Sequence, residues 1–330
     1  MEEVILLADQ NSKAWQFAEK IQEYLKAKYE ANAPPLLNIE ISHFNNQEIK
    51  MHVPKNLRQK DVYFVHDPAL NPQEWWVQLL LTKDLVLNAS AKSLSLVLPN
   101  MLYSRQDRKH KHHVPISARA LASSISPGTK RIITMDLHAA QIQGFYPDTL
   151  PVDNLYSFPE ASRHLIKFHS DSLEKLVIVS PDFGGAERAE SFIKRLEKIN
   201  QKGSYGLAMI HKKRSKEGSK EGEVEKMELV GDVAERNVLI VDDIIDSGGT
   251  ICKATELLKK RGAGKIMCYA THGIFSKGKD SLLPYFDAIM SSNTHYIPPN
   301  EKIEVVDVSP LFAEAIYRAQ NGLSISELFE

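Results

Sequence analysis

Short runs of β-branched and aliphatic residues alternate with amphipathic segments from one end of this 330-residue chain to the other. Strands are predicted at Val4–Ala8, Asp61–His66, Ser93–Leu98, Arg131–Met135, Lys175–Ser180, Gly206–His211, Val238–Val241, Lys265–Thr271, Ala288–Ser291 and Lys302–Asp307. Between them the spacing predicts helices over Ser12–Tyr29, Gln73–Ala91, Ile116–Ser124, Glu187–Asn200, Ile251–Arg261 and Pro310–Gln320. In the first, Trp15, Ala18, Ile21, Leu25 and Tyr29 share one face, and Ser12 is the expected N-cap. The strand runs are almost continuously apolar, as strands covered by helices on both faces must be. The order therefore predicts an α/β chain with mostly parallel sheets. In such sheets ligands bind beyond the carboxyl ends of the strands, so chemistry is expected in the loops that follow them.

The length exceeds one ordinary hydrophobic core, so two domains are expected. A break falls at Pro147–Pro159, where Pro147, Pro151 and Pro159 interrupt the pattern. Lys and Arg total 41 against 42 Asp and Glu, without the basic excess of a dedicated nucleic-acid surface. Cys252 and Cys268 are the only cysteines, which excludes a disulfide framework and a Cys-rich zinc site. The start MEEVILLADQ is acidic with a short apolar run, unlike a signal peptide, and no apolar stretch approaches the roughly 20 residues of a membrane span. A cytoplasmic protein is expected, with neither nucleic acid nor membrane as partner. Lys109–His113 has no i, i+4 histidine pair and reads as a solvated cationic loop rather than a metal site. The tandem SKEG repeat, Ser215–Gly218 and Ser219–Gly222, reads as an exposed loop. The stretch from Gly273 to Asp280 is one residue short of a P-loop and has Asp280 where a hydroxyl is needed, so it reads as a strand end.

The most informative stretch is VLIVDDIIDSGGT, Val238 to Thr250. A strand runs into adjacent carboxylates, and a glycine turn then opens a helix. Ser247, Gly248, Gly249 and Thr250 suit a phosphate, because glycines let backbone N–H groups approach it and the helix N-terminus favours an anion. Asp242 and Asp243 would repel that phosphate but are good paired acceptors for a vicinal diol. A sugar phosphate carries both groups.

This stretch resembles the ribose 5-phosphate loop of type I phosphoribosyltransferase folds. Further pieces extend the likeness: YSRQDRK (Tyr103–Lys109), VPISA (Val114–Ala118), ITMDLHAAQIQGFY (Ile133–Tyr146) and PVDNLY (Pro151–Tyr156) in the first half, then VSPDFGGAERA (Val179–Ala189), IHKKR (Ile210–Arg214), LVGDV (Leu229–Val233) and THGIFS (Thr271–Ser276). In order and spacing they resemble the ribose-phosphate pyrophosphokinase family across nearly the whole chain.

The resemblance implies two phosphoribosyltransferase-like domains, each a mostly parallel sheet flanked by helices. Residues 1–150, joined by 304–330, would form the ATP-binding side, and 151–303 the ribose 5-phosphate side. It implies transfer of the pyrophosphoryl group of ATP to O1 of ribose 5-phosphate, with Mg2+ as cofactor. His138 and Asp182 would be the metal-linked residues, and Lys212 and Arg214 would stabilise the transferring group. Arg105, Gln106 and Asp107 would bind ATP together with Phe44, Asn46 and Glu48. Asp242, Asp243, Asp246, Ser247, Gly248, Gly249 and Thr250 would bind ribose 5-phosphate. Homo-oligomers, as dimers or hexamers, are implied as well.

The chain departs from the family in two places. Phe44-Asn45-Asn46-Gln47-Glu48 stands where the family shows Phe-x-Asp-Gly-Glu, which puts the nucleotide preference in question. Phe183 is bulky where the family has a small residue. The altered loop gives some weight to a non-catalytic, nucleotide-binding or regulatory homologue. A base-specific phosphoribosyltransferase is disfavoured, because such enzymes are shorter and lack the first half.

Overall fold

The computed structural model describes residues 3–29, 33–201, 203–214, 224–298 and 302–329; the SKEG repeat lies outside them. The chain divides into two compact units, one of Met1–Tyr156, Asn293–Tyr296 and Val308–Glu330, the other of Ser157–Ser292 and Ile297–Asp307.

The first unit holds β1 (Val4–Ala8), α1 (Ala14–Tyr29), β2 (Leu36–Asn38), β3 (Glu40–His43), β4 (Ile49–His52) and β5 (Asp61–Val65). It continues with α2 (Pro72–Asn88), β6 (Ser93–Leu98), α3 (Ser117–Ile125), β7 (Arg131–Met135) and β8 (Val152–Leu155). Its main sheet runs β2-β1-β5-β6-β7-β8, every pair parallel, while β3 and β4 form a separate antiparallel ribbon. Ile5, Leu7, Phe64, Leu96 and Ile132 face Trp75, Leu79 and Val86 of α2 and Leu121 and Ile125 of α3 in one buried cluster. The alternate residues turn to the opposite face. The chain returns to this unit with α7 (Ser309–Gln320), which packs on α1 through Phe17 and Phe312, edge-on at 5.2 Å, and Tyr29 and Tyr317, stacked at 3.5 Å.

Glu314 of α7 ties these two helices together. It is buried and accepts from Lys28 Nζ at 2.7 Å, Tyr29 Oη at 2.9 Å and Arg318 Nε at 3.0 Å. Burial works against its ionisation, but the bonds from Lys28, Arg318 and Tyr29 outweigh it and hold the carboxyl below its usual range. A depressed folded pKa stabilises above the ordinary carboxylate range, and that contribution is lost as pH falls through the lowered value. Glu314→Gln is expected to cost about 1–3 kcal/mol at neutral pH. In denaturant unfolding, the gap to wild type should narrow in acid; a gap that persists below pH 3 contradicts the assignment.

The second unit holds α4 (Phe158–Phe168), β9 (Val177–Ser180), α5 (Ala186–Ile199), β10 (Gly206–Arg214), β11 (Val224–Val230) and β12 (Val238–Ile245). After them come α6 (Gly249–Lys260), β13 (Ile266–Gly273), β14 (Ala288–Ser292) and β15 (Ile303–Val306). The sheet order is β11-β10-β9-β12-β13-β14-β15, parallel except for the β10–β11 pair. Val179, Ile240, Cys268 and Ile289 pack under Ile251, Ala254 and Leu258 of α6. On the other face Phe158 of α4 meets Phe192 of α5 edge-on at 5.2 Å.

Both sheets reverse direction at an internal point: the chain leaves β1 toward β2 but β5 toward β6, and likewise leaves β9 toward β10 but β12 toward β13. Crevices at such reversals are the usual ligand sites of open parallel sheets. Two expectations change in detail. Ser12 does not cap α1, which begins at Ala14; its hydroxyl donates to Asp9 O at 2.9 Å instead. The strand expected to end at Val241 continues to Ile245, so Asp242 and Asp243 are part of β12.

Candidate active site

In the second unit the reversal lies between β9 and β12. Asp182 follows β9, and its Oδ1 accepts from Gly185 N–H at 3.1 Å, closing the short 3-10 turn Phe183–Gly185. Ser180 Oγ donates to Asp182 O at 2.6 Å and would lie 2.6 Å from a Cβ at position 185, so only glycine fits there. Helix α5 starts immediately after, and Arg188 stands in its first turn. A cation there opposes the helix dipole and needs carboxylate partners. It has two: Arg188 Nη1 lies 3.4 Å from Asp242 and 3.2 Å from Asp243 on β12. Burial, followed by the adjacent charge of Asp243, raises the Asp242 carboxyl well above the usual range, and Arg188 pulls in the opposite direction. The guanidinium therefore helps two crowded carboxylates to coexist.

Beyond these carboxylates β12 turns at Asp246–Thr250. Gly248 has φ +75, and a Cβ there would meet Leu282 Cδ2 at 2.2 Å. Glycine is thus required twice, by backbone and by space. Ser247, Gly249 and Thr250 are exposed, and α6 begins at Gly249, so the first amides of a helix open into the turn. The rejected P-loop stretch supports this turn from below. Ile274 and Phe275 donate to Ile245 O at 2.9 and 3.1 Å, and Ser276 donates to Asp246 O at 3.1 Å.

Lys212 and Arg214 belong to β10, with backbone opposite Met227 and Val224 of β11 and a register shift between Lys213 and Arg214. Their side chains lie outside the described residues.

The first unit positions the other candidates. Phe44–Glu48 forms the tip of the β3–β4 ribbon: Phe44 N–H donates to Glu48 O at 2.8 Å, and Gln47 N–H donates to Phe44 O at 2.8 Å. Asn46 Oδ1 accepts from Glu48 N–H at 3.3 Å, a structural use of the acceptor expected to read a nucleotide. Phe44 is 52% exposed with Lys50 Nζ 5.9 Å from its ring centroid, an open stacking platform. Gln47 has φ +69, the left-handed region, at the position where the family motif has glycine. Left-handed geometry costs a side-chain-bearing residue about 1–2 kcal/mol, against about 0.4–1 kcal/mol of added unfolded-chain entropy for glycine. Gln47→Gly is therefore expected to stabilise the protein by about 0.5 kcal/mol. A lowered thermal midpoint contradicts this.

Arg105 is exposed, and the Gln106–Asp107 segment is fastened to its surroundings. Ala118 N–H of α3 donates to Gln106 O at 3.3 Å, and Gln141 Nε2 donates to Asp107 Oδ2 at 3.3 Å. Gln141 sits three residues after His138, so Asp107 is brought to the loop that follows β7. That loop leaves the strand through Asp136 at φ +41, with Leu137 N–H donating to Asn154 Oδ1 at 3.0 Å; His138 itself is exposed.

Among the described residues no three His, Cys, Asp or Glu side chains gather as a metal cage. Mg2+ keeps waters and phosphate oxygens and takes one or two protein carboxylates. Half-exposed Asp182 offers an oxygen donor of the right kind. The imidazole of His138 is a softer donor than this ion prefers.

A family model of the N-terminal domain of ribose phosphate pyrophosphokinase matches residues 5–127, and one of the phosphoribosyl transferase domain matches residues 151–310. A ribose-phosphate pyrophosphokinase of Cereibacter sphaeroides is 38% identical over 308 residues, 90% of this chain and 87% of that protein. The chain belongs to the ribose-phosphate pyrophosphokinase family. A second ribose-phosphate pyrophosphokinase, from Agrobacterium fabrum, is 37% identical over 322 residues, 95% of this chain and 96% of that one. The crystal structure of a phosphoribosylpyrophosphate synthetase from Mycobacterium smegmatis superposes with a TM-score of 0.82 at 29% identity, covering 97% of this chain and all of that one. Membership makes the chain an enzyme, a ribose-phosphate diphosphokinase built on phosphoribosyltransferase-like sheets.

Sequence reading did not single out Arg188. Its partners Asp242 and Asp243 are more than fifty residues away, and among the alternating charges of Glu187–Asn200 it reads as surface. Its available signal was a cation in the first turn of a helix.

Proposed function

We propose that the protein uses ATP and ribose 5-phosphate as substrates and forms 5-phosphoribosyl 1-diphosphate and AMP. The bond from sugar O1 to the β-phosphorus forms as the bond to the α,β-bridging oxygen breaks. The observation that carries this reading is the acid-then-anion-cradle order of β12: Asp242 and Asp243, steadied by Arg188, followed by the open amides at Gly248–Thr250. The carboxylates accept from the ribose diol, and the turn with the α6 N-terminus holds the 5-phosphate.

Phe44 stacks on the adenine, Arg105 pairs with phosphate, and Gln106, Asp107, Asn46 and Glu48 take hydroxyls or base edges. Lys212 and Arg214 meet the charge that spreads over the transferring group. Asp182 would hold Mg2+, with His138 the second metal-linked candidate, and the ion when bound would neutralise phosphate oxygens.

No helix among the described residues is long and apolar enough to cross a membrane, and a cytoplasmic location is part of the proposal. Homo-oligomer formation is supported by α2, which exposes Val77 and Leu81 opposite its buried Trp75 and Leu79.

A second reading, a nucleotide-binding homologue without turnover, rests on Asn46 and Gln47 in the ribbon tip. The two are separated by following AMP release with ATP, Mg2+ and ribose 5-phosphate, omitting each in turn and adding EDTA. Release that needs all three supports the enzyme. Nucleotide binding without release supports the second reading.

A further inference from the structure

We propose that Phe183 is a positioning residue: packed edge-on against His211, it fixes the part of β10 that runs past β9 and with it the backbone that carries Lys212 and Arg214. The inference rests on the assignment of those two residues to the reaction.

Three observations support it. The first is where β10 loses its neighbour. It pairs with β9 only from Gly206 to Met209, and the described residues from Ile210 onward pair with β11 alone. A two-stranded ribbon is marginal in isolation, and this one also carries the register shift at Lys213/Arg214. The second is the contact itself. The Phe183 and His211 rings stand 5.0 Å apart at 88°, the T-shaped arrangement that aromatic quadrupoles favour. It lies two residues beyond the last β9–β10 pair and one residue before Lys212, so it extends the support of the sheet onto the ribbon. The third is exposure. Phe183 is 57% exposed in the short turn closed by Asp182, so its ring adds little to the core. A large apolar group held open to solvent has its use in what it touches.

The turn beneath Phe183 is closed by two hydrogen bonds. Asp182 Oδ1 holds Gly185 N–H, and Ser180 Oγ holds Asp182 O. A firm base and one ring contact are what a lever on the adjacent strand requires. Aromatic pairs of this geometry bias a local equilibrium about 2- to 12-fold. Small displacements of a group that must meet a developing charge lower turnover by comparable factors or more.

The test uses the full-length protein with Phe183→Ala, Phe183→Tyr, His211→Ala and the Phe183→Ala/His211→Ala double variant. For each, kcat, the two KM values and the thermal midpoint are measured, with Lys212→Ala as reference. Expected for Phe183→Ala is a kcat lowered about 2- to 12-fold, with KM for ribose 5-phosphate within about 2-fold of wild type. Phe183→Tyr, which keeps the ring, should recover turnover, and the double variant should be no slower than the worse single one. Unchanged kcat in Phe183→Ala, failure of tyrosine to rescue, or multiplying losses in the double variant would each overturn the proposal. An active Lys212→Ala would instead overturn the underlying site assignment, so the two failures are distinguishable.

Discussion

Replacing Lys212 or Arg214 by alanine is expected to lower kcat by about 10³-fold while leaving the unfolding midpoint near that of wild type. Pyrophosphoryl transfer asks little covalent chemistry of a protein; it asks for alignment and for positive charge where negative charge spreads in the transition state. An arginine contributes a planar fork of donors matched to phosphoryl oxygens, and a lysine contributes a point charge. Arg214→Lys should therefore recover only part of the activity. The fold should survive because both residues lie beyond Met209, the last point at which β10 pairs with β9. Near-normal kcat in either alanine variant would contradict the assignment.

Gly248→Ala should abolish effective use of ribose 5-phosphate. The residue sits at φ +75, where a side chain costs about 1–2 kcal/mol. The added Cβ would also fall 2.2 Å from Leu282 Cδ2. Leu282 is buried, so its displacement adds about 1–3 kcal/mol of overpacking. The turn can relieve this only by moving its amides, which are the groups proposed to hold the phosphate. KM for ribose 5-phosphate should rise at least ~30-fold, and KM for ATP much less, for a distortion of about 2–5 kcal/mol. Gly249→Ala provides the internal control. Its nearest neighbour would be Ser247 Oγ at 4.0 Å, with no left-handed backbone, so its effect should be far milder. Equal effects of the two substitutions would contradict the steric account.

The contrast between these glycines shows what the sequence could and could not convey. Both belong to the same SGGT string, and the string announces a glycine turn that opens a helix. Which glycine is irreplaceable depends on Leu282, more than thirty residues downstream. The apolar runs behaved similarly. β1, β6 and β7 stand where their continuous burial demanded, with the expected bounds. β3 (EISH) and β4 (IKMH) are half-exposed, lack a continuous apolar run and were not legible as strands. β8 lies within the proline-rich break, and β11 alternates charges with aliphatics after the repeat.

Within the candidate site, residues contiguous in sequence were legible and residues joined across the fold were not. Asp242 to Thr250 form one string and were named as one. Arg188 needs β12 to fold beside α5 before its partners exist. The strain at Gln47 appears only once the β3–β4 ribbon fixes its tip.

The most direct measurement is the phosphorus NMR spectrum of a reaction mixture containing the protein, ATP, Mg2+ and ribose 5-phosphate. AMP and a sugar 1-diphosphate should appear in equal amounts as ATP is consumed. Formation of ADP with a singly transferred phosphoryl group, or no consumption of ATP, would contradict the proposed reaction.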